Sequence, residues 1–346
     1  MRLFSCSLLS LAFCAVLSAD ANGTIRIMAV GDMMLGTSYP TAATLPPRDK
    51  NILENAAPTL READITIGNL EGAMTDGGRT TKCKDPASKR CFTFRMPTKY
   101  AAFIADAGFD VMTLANNHAL DFGLEGIKTA EKTLEKHGIA HTGRVGDIAR
   151  LSANGASVSV IGFATYGNLH NLNDLAKARE IVKSERAKSD LVIVVMHGGA
   201  EGGDKTHTPV SREFHLGEDR GDLRAFARAA IDAGAALVIG HGPHVPRGLE
   251  IYRDRLIAYS LGNFATYEMM NLAGDRAFAP ILDVQIDLDG KFLRGKIHSF
   301  KQAKPGVPMA DPASGAAKLM AKVSSEDFGK NAPIFTQEEF VSAGEK

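Results

Sequence analysis

The strongest constraint on this chain is an alternation. From residue 24 to residue 239, short runs rich in β-branched and aliphatic residues are separated by amphipathic segments of helical length. Residues 24–30, 64–68, 110–115, 157–163, 191–196 and 236–239 are predicted strands. Residues 51–62, 100–107, 124–137, 175–188 and 222–233 are predicted helices, with Gly108, Gly138 and Gly234 placed to end three of them. Such an order is that of an α/β fold. After Gly248 the pattern changes to strands without helices, at 249–252, 256–260, 279–287 and 292–299, with Asp289-Gly290 as a hairpin turn and a second sheet as the expected product. Residues 301–346 carry one helical piece, 316–324, and read as a peripheral C-terminal extension. No linker or internal repeat divides the rest, so residues 22–300 are expected to form one domain.

Residues 1–21 read as a secretory signal peptide: Met1-Arg2, an apolar stretch from Leu3 to Leu17, then the small-residue pattern Ser18-Ala19-Asp20-Ala21. A membrane anchor is the competing reading, but the stretch falls short of the roughly 20 residues that span a bilayer. A lipid-attachment site is disfavoured because bulky Phe13 precedes Cys14. Export to the periplasm or beyond follows, with no integral span in the mature chain. Loss of the leader also removes Cys6 and Cys14. Cys83 and Cys91 remain, and in an oxidising compartment they are expected to pair across Lys84–Arg90. A metal site is a poor reading of these two thiols, for no second Cys pair and no neighbouring His accompanies them. Lys plus Arg and Asp plus Glu both number 40, which leaves no basic excess for a nucleic-acid backbone.

The polar residues gather where the predicted strands end. Gly31-Asp32 follows the first, Gly68-Asn69-Leu70-Glu71 the second and Asn116-Asn117-His118 the third; His197 and Gly240-His241-Gly242-Pro243-His244 follow later ones. In an open α/β sheet the carboxyl ends of the strands face one crevice, so these clusters should converge. Singly, each has an ordinary reading as helix cap, turn or structural histidine. Together, hard carboxylate oxygens, amide oxygens and imidazoles suit one or two divalent ions such as Zn, Mn, Fe or Mg.

Five blocks in order make a more specific pattern: Gly31-Asp32-Met33-Met34-Leu35-Gly36, Asn69-Leu70-Glu71-Gly72, Asn116-Asn117-His118-Ala119-Leu120-Asp121-Phe122-Gly123, Gly240-His241-Gly242-Pro243-His244-Val245 and Tyr259-Ser260-Leu261-Gly262-Asn263-Phe264. The chain resembles the CapA family of bacterial poly-γ-glutamate capsule biosynthesis over residues 25–299. That family is similar in fold to calcineurin-like metallophosphoesterases, so the resemblance implies a four-layer α/β/β/α sandwich with its site at the strand ends. It implies Asp32, Glu71, Asn117, His197, His241 and His244 as metal ligands, with Glu71 where the superfamily places a bridging Asp. Two departures stand out. Met34 occupies the His position of the superfamily's Asp-x-His motif, and Gly242-Pro243 separates two histidines that usually lie one residue apart. Within CapA itself, Gly198 stands where a Trp is common and Gly242 where a His is.

The resemblance points to an exported hydrolase or transferase acting on an amide or phosphoester of an envelope polymer or peptide, with membrane-bound synthase partners. His118 would protonate the leaving group, and Asp121 would either orient it or cap the helix that follows. Arg95 is a candidate for a substrate carboxylate, and Asn69, Glu201 and Asn263 are candidates for the cleft and its rim. Residues 202–221, with His207 and His215, read as a substrate-facing loop. Two other functions stay open: metal-free acid/base catalysis by Asp32, Glu71, His118 and His244, and a non-catalytic module that binds or exports polymer. Ser260 lacks the Gly-x-Ser-x-Gly elbow of a nucleophile.

Overall fold

The computed structural model describes residues 23–47, 50–80, 82–83 and 91–343. The leader therefore lies outside the described residues. Two sheets stack face to face. The larger has nine strands; its continuous path runs from the C-terminal pair Ile334–Thr336 and Glu339–Val341 through Phe292–His298, Ile281–Asp287, Thr24–Met34, Ile65–Leu70 and Val111–Thr113 to Ala140–Thr142, and Asn263–Thr266 lies against Thr24–Met34. The smaller has six, in the order Leu249–Tyr252, Arg255–Ala258, Leu237–His241, Leu191–His197, Ala156–Ala164, Ala149–Ala153.

The period-two rule explains why the central strands are apolar throughout. In Thr24–Met34, Ile25, Ile27 and Ala29 point into the core between the sheets, whereas Met28 and Val30 point outward under the helices Ala101–Asp106 and Gly123–Lys136. Leu191, Ile193 and Val195 meet them from the other sheet, and Val192, Val194 and Met196 pack beneath Leu175–Arg186 and Leu223–Asp232. Each fully buried aliphatic side chain contributes about 1.5–3 kcal/mol. Helix, sheet, sheet and helix make the four-layer sandwich. Among the described residues no helix is long and apolar enough to cross a membrane.

Three expectations are corrected. The predicted helix 51–62 contains only one α-turn, Ala57–Leu60. Pro58 fits only the first turn of a helix, and Asn51 folds back to accept the N–H of Leu53, so the segment before it forms turns. The strands after Gly248 do not build one sheet: Leu249–Tyr252 and Arg255–Ala258 complete the smaller, and Ile281–Asp287 and Phe292–His298 extend the larger. Nor is the C-terminal stretch peripheral. Its last two strands pair onto Phe292–His298, and its helix, Gly315–Phe328, buries Ala316, Ala317 and Met320 in the inter-sheet core.

The first strand also runs on past Val30. It continues to Met34 because Asn263–Thr266 pairs with it in parallel, Asp32 opposite Asn263, and its register with both neighbours shifts at Asp32. The approach is close enough to require glycine. A Cβ on Gly31 would lie 2.1 Å from the carbonyl oxygen of Gly262, and one on Gly240 would lie 2.2 Å from that of Tyr259. Asp32 N–H donates to Gly262 O at 2.8 Å, and Leu261 N–H donates to Gly240 O at 3.0 Å. The segment between Tyr259 and Asn263 thus passes from one sheet to the other across the strand ends. Ser260 serves this crossing, its hydroxyl donating to Val245 O and accepting from Gly262 N–H.

Candidate metal centre

Parallel strands of both sheets end at the same edge. In the larger sheet Asp32 is in register with Asn69, and in the smaller His241 is in register with His197, so the two pairs face each other across the sandwich. Asp32, Glu71, His197 and His241 are all buried. Asn69 braces the floor: its amide donates to Asp32 Oδ1 at 2.8 Å, and its own oxygen accepts from Asn116 at 3.0 Å.

What this cluster lacks is hydrogen-bond partners. Of the 13 buried side-chain polar atoms left unpaired among the described residues, seven lie here: Asp32 Oδ2, both oxygens of Glu71, Asn117 Oδ1, His197 Nε2 and both ring nitrogens of His241. The Nδ1 atoms of His241 and His244 come within 3.2 and 3.0 Å of the Asp32 carboxylate, but out of line for hydrogen bonds. Buried polar atoms are ordinarily paired, and leaving one unmade costs about 1–3 kcal/mol. Unpaired oxygens together with imidazole nitrogens, of which each neutral ring offers one lone pair, fit a divalent cation. Asp32, Glu71 and His244 each offer a ligand atom within 4.8 Å of the others.

The electrostatics point the same way. Burial pushes the Glu71 carboxyl well above the usual range, and the neighbouring Asp32 charge adds to the push. Burial opposes ionisation of Asp32 too, but the facing His241 and His244 outweigh it and hold its carboxyl well below the usual range. Burial also keeps His197 neutral, far below its ordinary value, with the Arg220 cation contributing. His244 is the exception: burial lowers it, but Glu71, Asp32 and Glu201 together raise it to about 10. Its backbone is left-handed, with φ of 58°, and Asn263 accepts from its Nδ1 at 3.0 Å, which turns Nε2 toward Glu71 at 3.6 Å.

A cleft of about 330 Å³ opens above the cluster, lined by His118, Glu201, His215, His244, Asn263 and Arg276 together with Phe92, Phe94, Met269 and Met270. His118 stacks on Phe94 with centroids 4.3 Å apart. Its Nδ1 lies 2.8 Å from Asp121 Oδ2 and 3.1 Å from Lys82 Nζ, and Lys82 also donates to Asp121 Oδ1 at 2.7 Å. Burial keeps the ring neutral, and the Lys82 ammonium adds to that effect against the pull of Asp121. Asp121 is not a helix cap: it also accepts from Phe94 N–H, while Phe122 holds the cap position of Gly123–Lys136 without a side-chain bond. Cys83, next to Lys82, is joined to Cys91 by a disulfide, with Cα atoms 5.7 Å apart.

Two residues singled out in the sequence lie elsewhere. Arg95 does not line the cleft. Its guanidinium donates to Ser38 Oγ and Ser38 O and sits between the rings of Tyr39 and Phe122. His207 pairs with Asp327 of the last helix, at 2.8 Å. His215 does reach the cleft, 3.4 Å from Glu201. Arg220 is a residue that sequence reasoning missed. It is buried, holds Glu201 Oε1 at 2.8 Å, and leaves Nε and Nη2 unpaired. Close backbone approaches explain the two glycine departures: a Cβ on Gly198 would lie 2.7 Å from Arg220 O, and one on Gly242 would lie 2.4 Å from Gly198 O. The strand Glu218–Gly221 leaves no room for a Trp at 198, and the backbone of Gly198 leaves none for a His at 242.

The profile of the bacterial capsule synthesis proteins, PGA_cap, matches residues 26–268. The capsule biosynthesis protein CapA of Bacillus anthracis is 28% identical over 264 residues, covering 70% of this chain and 60% of that protein. The PGA biosynthesis protein CapA of Bacillus subtilis is 28% identical over 254 residues, with 68% and 61% covered. A Mycobacterium tuberculosis relative named as a probable polyglutamine synthesis accessory protein is 29% identical over 240 residues, 61% of this chain and 57% of that one. The chain thus spans about three-fifths of the length of these relatives. Among solved structures, a 5'-nucleotidase precursor from Thermus thermophilus is similar at a TM-score of 0.43 and 12% identity, over 88% of this chain and 59% of that one.

Proposed function

The chain belongs to the bacterial capsule synthesis protein family PGA_cap, and from that membership we propose an exported accessory protein of capsule or envelope-polymer synthesis, with a metal-dependent hydrolase or transferase site in its cleft. The scissile group would be an amide or phosphoester of a poly-γ-glutamate-type chain, delivered by a membrane-bound synthase. The observation that carries this reading is the cluster of seven unpaired buried oxygen and imidazole nitrogen atoms at the strand ends. The disulfide suits an oxidising compartment.

Asp32, Glu71, Asn117, His197, His241 and His244 would hold one or two divalent ions. Such an ion supplies Lewis acidity toward a carbonyl or phosphoryl oxygen and acidifies water. The chain's own residues do the rest. His118 Nδ1–H donates to Asp121 Oδ2, and Asp121, itself held by Lys82, fixes the ring together with Phe94; Nε2 would take the proton released by the attacking water, and the resulting imidazolium would give it to the leaving group. Asn263 fixes His244, and Arg220 holds Glu201 at the cleft wall.

Elemental analysis of the purified protein tests the proposal beside a His197→Ala/His241→Ala variant prepared identically. One or two equivalents of a divalent metal are expected, and their loss in the variant. A folded wild-type protein that takes up no added ion overturns the metal-dependent reading.

A further inference from the structure

Among the described residues, Arg276 is a cation of the cleft that the metal site does not need. Arg276 lies in the 3-10 turn Gly274–Ala277 and is half-buried at the cleft wall. Its Nε donates to Ala273 O at 3.3 Å. Among the described residues no carboxylate lies within ion-pair distance of its guanidinium. Asp204, an acid within electrostatic reach, is paired with Lys205 at 2.7 Å. Of the other arginines nearby, Arg220 is buried with one Nη on Glu201, and Arg247 is committed to Glu213. The guanidinium rests against Gly203, where a Cβ would lie 3.3 Å from its central carbon. A glycine there makes room for the planar fork.

The rest of the wall sets the shape of what Arg276 can meet. Phe92 is 46% exposed, and Met269 and Met270 line the same cleft. Asp32, Glu71 and Glu201 line or underlie it and repel a second negative charge. An acidic substrate therefore needs a cation placed apart from them, with apolar surface between. A guanidinium with free Nη groups binds a carboxylate through two parallel hydrogen bonds, and a lysine ammonium lacks that fork.

We propose that Arg276 is a specificity-determining residue that binds a substrate carboxylate borne beside a short run of methylenes in the chain, the methylenes lying against Phe92, Met269 and Met270. The cleft thereby selects acidic chains over their neutral counterparts. This rests on the reading of the cleft as the substrate site.

The test uses the full chain, metal-loaded and chelator-treated, and two probes: a γ-linked glutamyl tetramer with free α-carboxylates and the same tetramer as its α-carboxamides. Calorimetric titration of wild type is expected to favour the acid tetramer at least tenfold in both states. Arg276→Gln should abolish that preference, Arg276→Lys should keep part of it, and Gly203→Leu should weaken it by displacing the guanidinium. A preference that survives Arg276→Gln, or that appears only with metal bound, overturns the proposal, as does equal binding of both probes by wild type. Failure of the metal reading is separate: it shows as absent metal uptake in wild type while the chelator-treated protein still prefers the acid.

Discussion

Glu213 and Arg247 form the buried ion pair on which the cleft wall hangs. Arg247 is fully buried and Glu213 is 7% exposed. Two parallel bonds of 2.8 and 2.7 Å join them; Arg247 Nε donates to Lys205 O, and Glu213 Oε1 accepts from Ala200 N–H at 3.1 Å. Glu213→Ala leaves a buried guanidinium without its partner, and breaking one side of such a pair costs about 3–5 kcal/mol. That is a large share of the roughly 5–15 kcal/mol by which domains are stable. Replacing both partners by apolar groups is cheaper because no charge is stranded. Glu213→Leu/Arg247→Met should therefore lose less than either single change. Urea denaturation of the wild type, both single variants and the double, followed by circular dichroism, checks this. Additive losses, or a single-variant loss under 1 kcal/mol, refute the reasoning. The folded single variants should also lose affinity for the acid tetramer, since the same segment carries His215 and Arg220.

Two further outcomes are expected. His141 meets Asp147 at 3.0 Å and Glu135 at 3.2 Å; burial lowers its pKa, but these acids outweigh it and raise it above the ordinary value. Its stabilising contribution is full below about pH 6.5 and fades as pH rises through the raised folded value, so thermal melts should show His141→Gln more destabilised at pH 5.5 than at pH 9, and the reverse order sinks the assignment. Ser324 Oγ accepts from Leu249 N–H at 2.7 Å and donates to Met320 O at 2.6 Å; Ser324→Ala strands a buried N–H and should cost about 1–3 kcal/mol by urea titration, whereas a loss within error would mean the last helix is dispensable.

The gathering of these residues was legible because their positions are tied to strand ends, and strands buried on both faces announce themselves by composition. Asp32, Glu71, Asn117, His197 and His241 each follow such a run. Residues outside that grammar were not legible. Arg276 sits in a 3-10 turn with no periodic pattern, and Arg220 in a two-residue-turn hairpin whose inward direction depends on Gly198 and Gly242. Arg95 stood out for its charge, yet two aromatic rings from distant segments claim it. The helix expected at 51–62 failed on Pro58, a local signal that periodicity overrode. The C-terminal strands are three residues each, too short for alternation to register, and only pairing with Phe292–His298 defines them.

The crossing between Tyr259 and Asn263 has a consequence for how such a centre can diverge. The separation of the two sheets at the ligand end is held by peptide hydrogen bonds at Gly31 and Gly240, so the spacing of donors does not depend on which side chains donate. A methionine can stand at position 34, or a glycine at 242, while the remaining donors keep their stations. Side chains at the strand ends can change one at a time on this rigid gauge, whereas a Cβ at Gly31 or Gly240 would collide with the crossing itself, at 2.1 and 2.2 Å.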